Sequence, residues 1–139
     1  MHKLLGGGKT GVTRGEFDTH CGTLKGATHV VQWRGASVWK IGGKIFAIYP
    51  KWGKGDHAKI SFKCSDLAYA MLREQPGIIP APYLARAKWV QIDAEDAMSE
   101  RDIKAYIEAA YTIVTAKLPR TKRKELGLAL PPPATASGA

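Results

Sequence analysis

The chain has few cysteines, no long apolar run and few acidic residues, and each shortage excludes a class of protein. Its two cysteines, Cys21 and Cys64, among 139 residues cannot build a disulfide framework and suit a reducing compartment. No apolar run approaches the roughly 20 residues that a membrane span requires. The first six residues hold too few apolar side chains for a secretion signal. We therefore expect a cytoplasmic protein with no membrane partner.

Acidic residues are scarce relative to basic ones. The chain has 12 Asp and Glu against 21 Lys and Arg, a formal net charge of +9 and a pI near 9.7. Residues 28–64 carry seven cations against one acid, whereas residues 93–102 are mostly acidic. An excess of positive charge favours polyanionic partners, above all nucleic acid. The uneven distribution predicts a molecule with a directional electrostatic field, because a basic region and an acidic segment coexist.

The motifs of common nucleotide-binding and metal-binding proteins are missing. Gly8-Lys9-Thr10 is similar to the end of a phosphate-binding loop, but that pattern needs glycine at position 3, where this chain has Lys3. The histidines and cysteines lack the paired spacing of a zinc site. We expect no metal, no cofactor and no catalytic activity.

Periodicity, capping residues and turn residues predict the element order α-β-β-β-β-α-β-α. Thr13, Ser65 and Ser99 stand where helices begin, and the last of these helices carries a continuous apolar stripe up to Leu118. The predicted strands cover 28–34, 37–41, 44–49, 58–64 and 88–93. Prolines at positions 80 and 82 predict an extended linker over 78–87. We assign 1–12 to a flexible N-terminal lead, 13–125 to a single domain and 126–139 to a disordered tail.

Short connections between the predicted strands indicate an antiparallel sheet. Gly42-Gly43 has the composition of a two-residue hairpin turn, because both positions tolerate a positive φ. In the segment 58–64, Ile60, Phe62 and Cys64 alternate with Lys59, Ser61 and Lys63. The alternation predicts a sheet with one buried face, which also buries the Cys64 thiol, and one wet, basic face. The expected fold is a two-layer α+β structure with helices on one face of the sheet.

Several segments, taken in order, resemble the MmcQ/YjbR family of small bacterial proteins. They are Val31-Gln32-Trp33, 38–47 (VWKIGGKIFA), 60–64 (ISFKC), Pro76-Gly77, 80–90 (PAPYLARAKWV), and Tyr106, 109–111 and 116–119 near the C-terminus. The resemblance covers roughly residues 13–124. It implies an α+β domain of the secretion-chaperone-like type and a DNA-binding function with a double-wing motif. It implies no catalytic residues and no cofactor.

Charge and resemblance together predict a non-enzymatic nucleic-acid-binding module. We expect it to bind duplex DNA through phosphates with weak sequence specificity, because lysine, a point-charge donor, dominates its cations. A wing-like loop after Pro50 interleaves cations with Trp52, a residue that either stacks on a base or packs over a sheet edge. The candidate nucleic-acid-binding residues are Arg34, Lys40, Lys44, Lys51, Trp52, Lys54, Lys59, Lys63, Arg86, Lys88, Arg120, Lys122, Arg123 and Lys124, the last four on a mobile arm.

Two other classes of function stay open. The chaperone-like fold and the positive field fit a protein-interaction module that binds an acidic protein. A small-molecule binder would use a pocket near Tyr83, Arg86 and Trp89. A pocket larger than about 300 Å³ with convergent polar groups would favour this last class.

Overall fold

Six antiparallel strands and four helices make up the computed structural model, which describes residues 10–50, 59–94 and 96–128. The strands are β1 (Ala27–Gln32), β2 (Ala36–Ile41), β3 (Lys44–Tyr49), β4 (Ser61–Lys63), β5 (Ile78–Pro80) and β6 (Trp89–Ile92). The helices are α1 (Arg14–Gly22), α2 (Asp66–Leu72), α3 (Glu100–Ala116) and α4 (Arg120–Glu125), with a short 3₁₀ turn at Ala85–Ala87.

The strands lie in the order β1-β2-β3-β4-β6-β5, and every neighbouring pair is antiparallel. The predicted α+β class and antiparallel sheet are therefore confirmed. Residues paired directly across antiparallel strands share one face of the sheet. One such row, here called the central row, crosses all six strands through Val30, Val38, Ile48, Ser61, Gln91 and Ile79.

The helices pack on one face of the sheet and enclose the larger core. Phe17 of α1, Phe46 of β3 and Phe62 of β4 are fully buried there, with Ile103 and Ile107 of α3. Burial of each such side chain stabilises the fold by about 1.5–3 kcal/mol. The predicted stripe of α3 is confirmed, since its buried positions recur at helical spacing as far as Leu118.

The three predicted helix caps are confirmed. The Thr13 hydroxyl accepts from the Glu16 N–H at 3.1 Å, and the Glu16 carboxylate accepts from the Thr13 N–H at 2.9 Å. The Ser65 and Ser99 hydroxyls accept in the same way from the backbone N–H three residues later, at Ala68 and Asp102, both at 3.1 Å. Each bond satisfies a backbone donor that the helix leaves free.

Residues 78–87, predicted to be a linker, contain the sixth strand. Ile78 and Ile79 pair with β6, and Pro80 ends the strand. Proline is tolerated here because β5 is an edge strand of the sheet, where one side of the backbone needs no ladder partner. The predicted element order therefore lacked this strand.

The ordered chain also extends past both predicted domain boundaries. Thr10 forms a β-bridge with Ser99, and Val12 is buried, although 1–12 were predicted to be a flexible lead. Residues 120–124, predicted to be a mobile arm, lie on α4, and the following Leu126 and Leu128 pack against the core. Residues 1–9 and 129–139 lie outside the described residues.

The second sheet face is apolar at its centre, so the predicted wet, basic face is wrong. Val38, Ile48 and Trp89 form a second buried cluster there, which Leu84 partly covers. The alternation along β4 is as predicted, but Ser61 on this face is buried rather than exposed. The sequence of β4 alone could not show that Ser61 is buried. Its burial depends on Ile48 and Gln91, which flank it in the neighbouring strands, and on residues 81–84, which cover this face.

Within the described residues, no helix combines the length and the apolar character needed to cross a membrane.

Both thiols are buried, as predicted for Cys64. Burial raises the pKa of the Cys64 thiol to about 11. Burial, together with the nearby Asp18 carboxylate, also raises the pKa of Cys21. Since only the thiolate reacts, both groups are inert while the protein stays folded.

We expect neither thiol of the folded protein to react with Ellman's reagent within minutes at pH 8, because burial raises the pKa of both thiols well above this pH. Both should react at once in concentrated guanidinium chloride. Fast release of chromophore from the folded protein would show that one of these sites opens to solvent.

The turn between β2 and β3 is fixed by two glycines with different surroundings. Gly42 and Gly43 have φ of 60° and 83°, which confirms the predicted hairpin. A Cβ on Gly42 would lie 2.7 Å from the nearest Cδ of Leu118, whereas a Cβ on Gly43 would meet nothing within 4 Å. Leu118 is itself buried. The hairpin therefore packs directly on the chain that links α3 to α4.

Replacing each glycine by alanine separates the two effects. Gly43→Ala should cost only the left-handed backbone strain, about 1–2 kcal/mol. Gly42→Ala should lower the free energy of unfolding by a further 1–3 kcal/mol or so, because the methyl group displaces a packed leucine. Urea denaturation of both variants measures the difference. Equal losses would mean that Leu118 moves aside freely.

Candidate functional site

The structure divides the predicted cations into groups. Lys51, Trp52 and Lys54 of the wing lie outside the described residues, so both hypotheses for Trp52 stay open. The other predicted residues lie at two opposite ends of the sheet, and several of them have partners within the protein.

Six cations from five chain segments lie toward one end of the sheet. Lys40 and Lys44 flank the Gly42 turn, which contacts Leu118, and Leu118 stands next to Lys117 and two residues before Arg120. Lys63 lies close enough to Lys117 and Lys88 for their charges to act on it. We call this group the basic end: Lys40, Lys44, Lys63, Lys88, Lys117 and Arg120.

Lys63 shows how little compensation the basic end has. Burial lowers the pKa of Lys63 most, and the charges of Lys117 and Lys88 lower it further, while Asp66 opposes them. Its ammonium group donates to the carbonyl of Ala87. Among the described residues, no carboxylate forms an ion pair with any member of the basic end. A bound anion would therefore relieve repulsion that the fold itself leaves in place.

Helix α3 contributes to the same asymmetry. Its first turn carries Glu100 and Asp102, and Asp93 and Asp96 stand nearby in the chain. Its 17 residues separate this acidic end from Lys117 by about 25 Å. Both charge signs match the helix dipole, which is positive at the N-terminus and negative at the C-terminus. The directional field predicted from the sequence thus coincides with the axis of α3.

Three predicted cations form contacts that stabilise the fold instead. Lys59 pairs with Asp93 at 3.2 Å. One Arg123 nitrogen donates to the carbonyls of Leu118 at 2.6 Å and Ala116 at 3.3 Å. Arg123 therefore caps the end of α3, a role that the hypothesis of a mobile arm did not foresee. Lys122 pairs with Glu125 at 3.5 Å, an exposed contact of little energetic weight.

Arg34 lies away from the basic end. It belongs to the turn between β1 and β2, and β2 separates this turn from Gly42 by about 20 Å. Trp33 and Arg34 both have left-handed backbone, with φ of 53° and 64°. Trp33, predicted to lie inside a strand, is therefore a turn residue and half exposed, while Trp39 and Trp89 are buried. Arg86 and Lys124 are exposed and, within the described chain, have no ion pair.

Lys117 is the member of the basic end that sequence reasoning missed. It lies outside both basic stretches of the chain, and only the contact between Gly42 and Leu118 brings it beside the hairpin. Its position at the end of a predicted helix was the available signal, since cations favour helix C-termini.

A cavity of about 400 Å³ opens on the sheet face opposite the described helices, here called the helix-free face. Tyr83 lines it, which agrees in part with the predicted small-molecule pocket. Arg86 does not line the cavity, and Trp89 packs beneath Ala81 and Leu84 instead. The lining residues are Trp33, Ile48, Pro50, Ser61, Ala81, Pro82, Tyr83, Leu84 and Gln91.

Asp18, Ser37 and His29 form a hydrogen-bonded group that has the composition of a hydrolase triad. The Ser37 hydroxyl donates to Asp18 Oδ1 at 2.5 Å, so His29 Nε2, at 2.7 Å, donates to Ser37. Trp39 Nε1 also donates to Asp18, at 2.9 Å. In a nucleophilic triad histidine lies between the other two and accepts from serine. Here serine is central and fully buried, so the group fixes α1 on the sheet rather than activating a nucleophile.

No group of three or more His, Cys, Asp or Glu side chains that could hold a metal occurs within residues 10–50, 59–94 and 96–128.

Comparison with known proteins identifies a family and a solved structure of the same fold. No curated protein matches the sequence. The crystal structure of the Deinococcus radiodurans protein DR2400, which carries a DUF419 domain, superimposes with a TM-score of 0.72 at 21% sequence identity. The match covers 84% of this chain and 89% of that one, and it supports the fold. The family model described as YjbR matches residues 22–113, about two thirds of the sequence, and the chain therefore belongs to the YjbR family.

Proposed function

We propose that the protein is a non-enzymatic module that binds nucleic acid, duplex DNA included, through phosphates contacted by the basic end. The observation that carries the proposal is the cluster of cations around Lys63, none of which forms an ion pair with a carboxylate of the described residues. Like charges held together by a fold are destabilising unless an anion binds them. Nucleic acid carries a row of phosphates, and the cations of the basic end, which come from five chain segments, are spread over a surface that can contact several phosphates at once.

The nature of the cations supports binding with weak sequence specificity. Five of the six members of the basic end are lysines, and lysine binds phosphate as a point charge without reading base edges. The two free cysteines fit a reducing, cytoplasmic location, where such a partner is accessible.

Salt titration is the first test. If about five cations reach phosphates, the logarithm of the association constant for a mixed-sequence duplex should fall against the logarithm of salt with a slope of about −4 to −5. Fluorescence anisotropy between 50 and 200 mM salt measures this slope. Failure to bind duplex or single strands at 50 mM salt would contradict the proposal and favour an acidic protein partner.

Paired charge reversals locate the surface. The double variant Lys44→Glu/Lys117→Glu should weaken duplex binding roughly 10- to 100-fold and reduce the magnitude of the salt slope by about 2. The control Arg34→Glu/Arg101→Glu makes the same change in net charge at exposed positions away from the basic end. Circular dichroism and thermal melting check that both variants fold. Equal weakening by the two double variants would mean that net charge, rather than the basic end, drives binding.

A further inference from the structure

The cavity on the helix-free face has a partly polar floor and two apolar walls. Ile48, Ser61 and Gln91, three consecutive members of the central row, line its floor. Residues 81–84 form one wall, and Trp33 and Pro50 lie on the opposite side. Its volume of about 400 Å³ falls in the range of small-ligand sites. Apart from the floor, the lining is almost entirely apolar.

Two exposed aromatic side chains belong to this lining. Tyr83 is fully exposed and Trp33 is 49% exposed. Both have left-handed backbone, with φ of 68° and 53°, which is unfavourable for residues other than glycine. Large aromatic side chains gain little by facing solvent from strained positions, so packing against the described residues does not account for this arrangement. A flat ligand stacked on these rings does.

The floor supplies a small number of polar atoms. Gln91 Nε2 donates to Asp93 Oδ1 at 3.3 Å, and Ser61 Oγ donates to the Lys59 carbonyl over a long 3.4 Å. Within the described chain, the Gln91 side-chain carbonyl has no hydrogen-bond partner, and the Ser61 oxygen can still accept. A ligand that fits has flat apolar faces and a polar edge with both donors and acceptors.

The basic end lies beside this cavity. Lys63 and Ser61 are on the same face of β4 and two residues apart, about 7 Å along the strand. Lys63 pairs with Trp89 of β6, and Lys88 is the residue before Trp89 in the chain. A phosphate attached to a ligand in the cavity would therefore lie near Lys63, one of the cations that the proposed function assigns to phosphate binding.

We propose that the cavity receives one unpaired base of a nucleic-acid strand whose phosphates lie on the basic end. The base stacks against Tyr83 and Trp33, and its polar edge faces Ser61 and Gln91, as in other sites that hold an unstacked base. The inference rests on the proposed function and adds a preference for single strands or for duplexes with an unpaired base. A fully paired duplex occupies the cations alone.

Three fluorescent probes with equal numbers of phosphates test the inference: a thymidine 15-mer, a 15-mer without bases, and a duplex with the same total phosphate count. The wild-type protein should bind the thymidine strand about 5- to 150-fold more tightly than the abasic strand, as expected for stacking of one base on an aromatic side chain. Tyr83→Asn should remove most of this difference and leave abasic and duplex binding unchanged. Asparagine suits the variant because it accepts left-handed backbone.

The control is Leu67→Asn, which removes a different exposed apolar side chain, on α2 and outside the cavity lining. It should leave the thymidine-to-abasic ratio unchanged. Equal affinity of wild-type protein for the two strands would overturn the base site while leaving phosphate binding intact. An equal ratio for wild type and Tyr83→Asn would also overturn it. Absence of binding to all three probes would instead overturn the proposed function, so the two failures are distinguishable.

Discussion

The sheet is apolar on both faces, and the rest of the structure follows from the need to cover it twice. Helices α1 and α3 cover one face and enclose the large core. No helix of the described residues packs on the other face, where residues 81–84 cross over Val38, Ile48 and Trp89 instead. Leu84 bonds back to both Ala81 and Trp89, which holds this segment as a tight turn. The turn places Tyr83 and Lys88 in left-handed backbone and leaves the cavity beside it unfilled.

A second contact organises the charge. Leu118 fills the space above Gly42 and so joins the β2–β3 hairpin to the corner between α3 and α4. Each segment alone carries an ordinary number of lysines for a solvated surface. Their junction creates the basic end, and the orientation of α3 places carboxylates at the far end of the molecule. Electrostatic asymmetry here is a result of helix packing as much as of composition.

Local signals in the sequence were enough to predict most elements. Caps such as Thr13 act within four residues, and the stripe of α3 depends only on helical period. The strand β5 was missed because Pro80 is incompatible with a central strand, and only the sheet order shows that β5 lies at an edge. The role of Arg123 was missed for a related reason. Nothing in the sequence around Arg123 distinguishes it from the other cations of residues 120–124, so the sequence could not show that it caps the preceding helix.

The candidate site depended still more on contacts between distant residues. Lysine counts predicted a positive surface, but they could not separate Lys59, neutralised by Asp93, from Lys63, which is crowded by other cations. The cavity was foreseen only through Tyr83. Its floor combines β3, β4 and β6, three strands whose neighbours in the sheet are not all neighbours in the chain.

The anchoring of α3 bears on the order in which the molecule folds. Strands β1, β2 and β3 pair through short loops, so they can associate as soon as residues 27–49 are free to do so. The bond from the Tyr111 hydroxyl to the Lys25 carbonyl, at 2.6 Å, closes a loop of 86 residues. Loop closure on that scale is slow and has to await the synthesis of α3. During translation the meander is therefore the first part of the sheet whose strands are all available to pair, and the basic end is complete only when the last two helices dock.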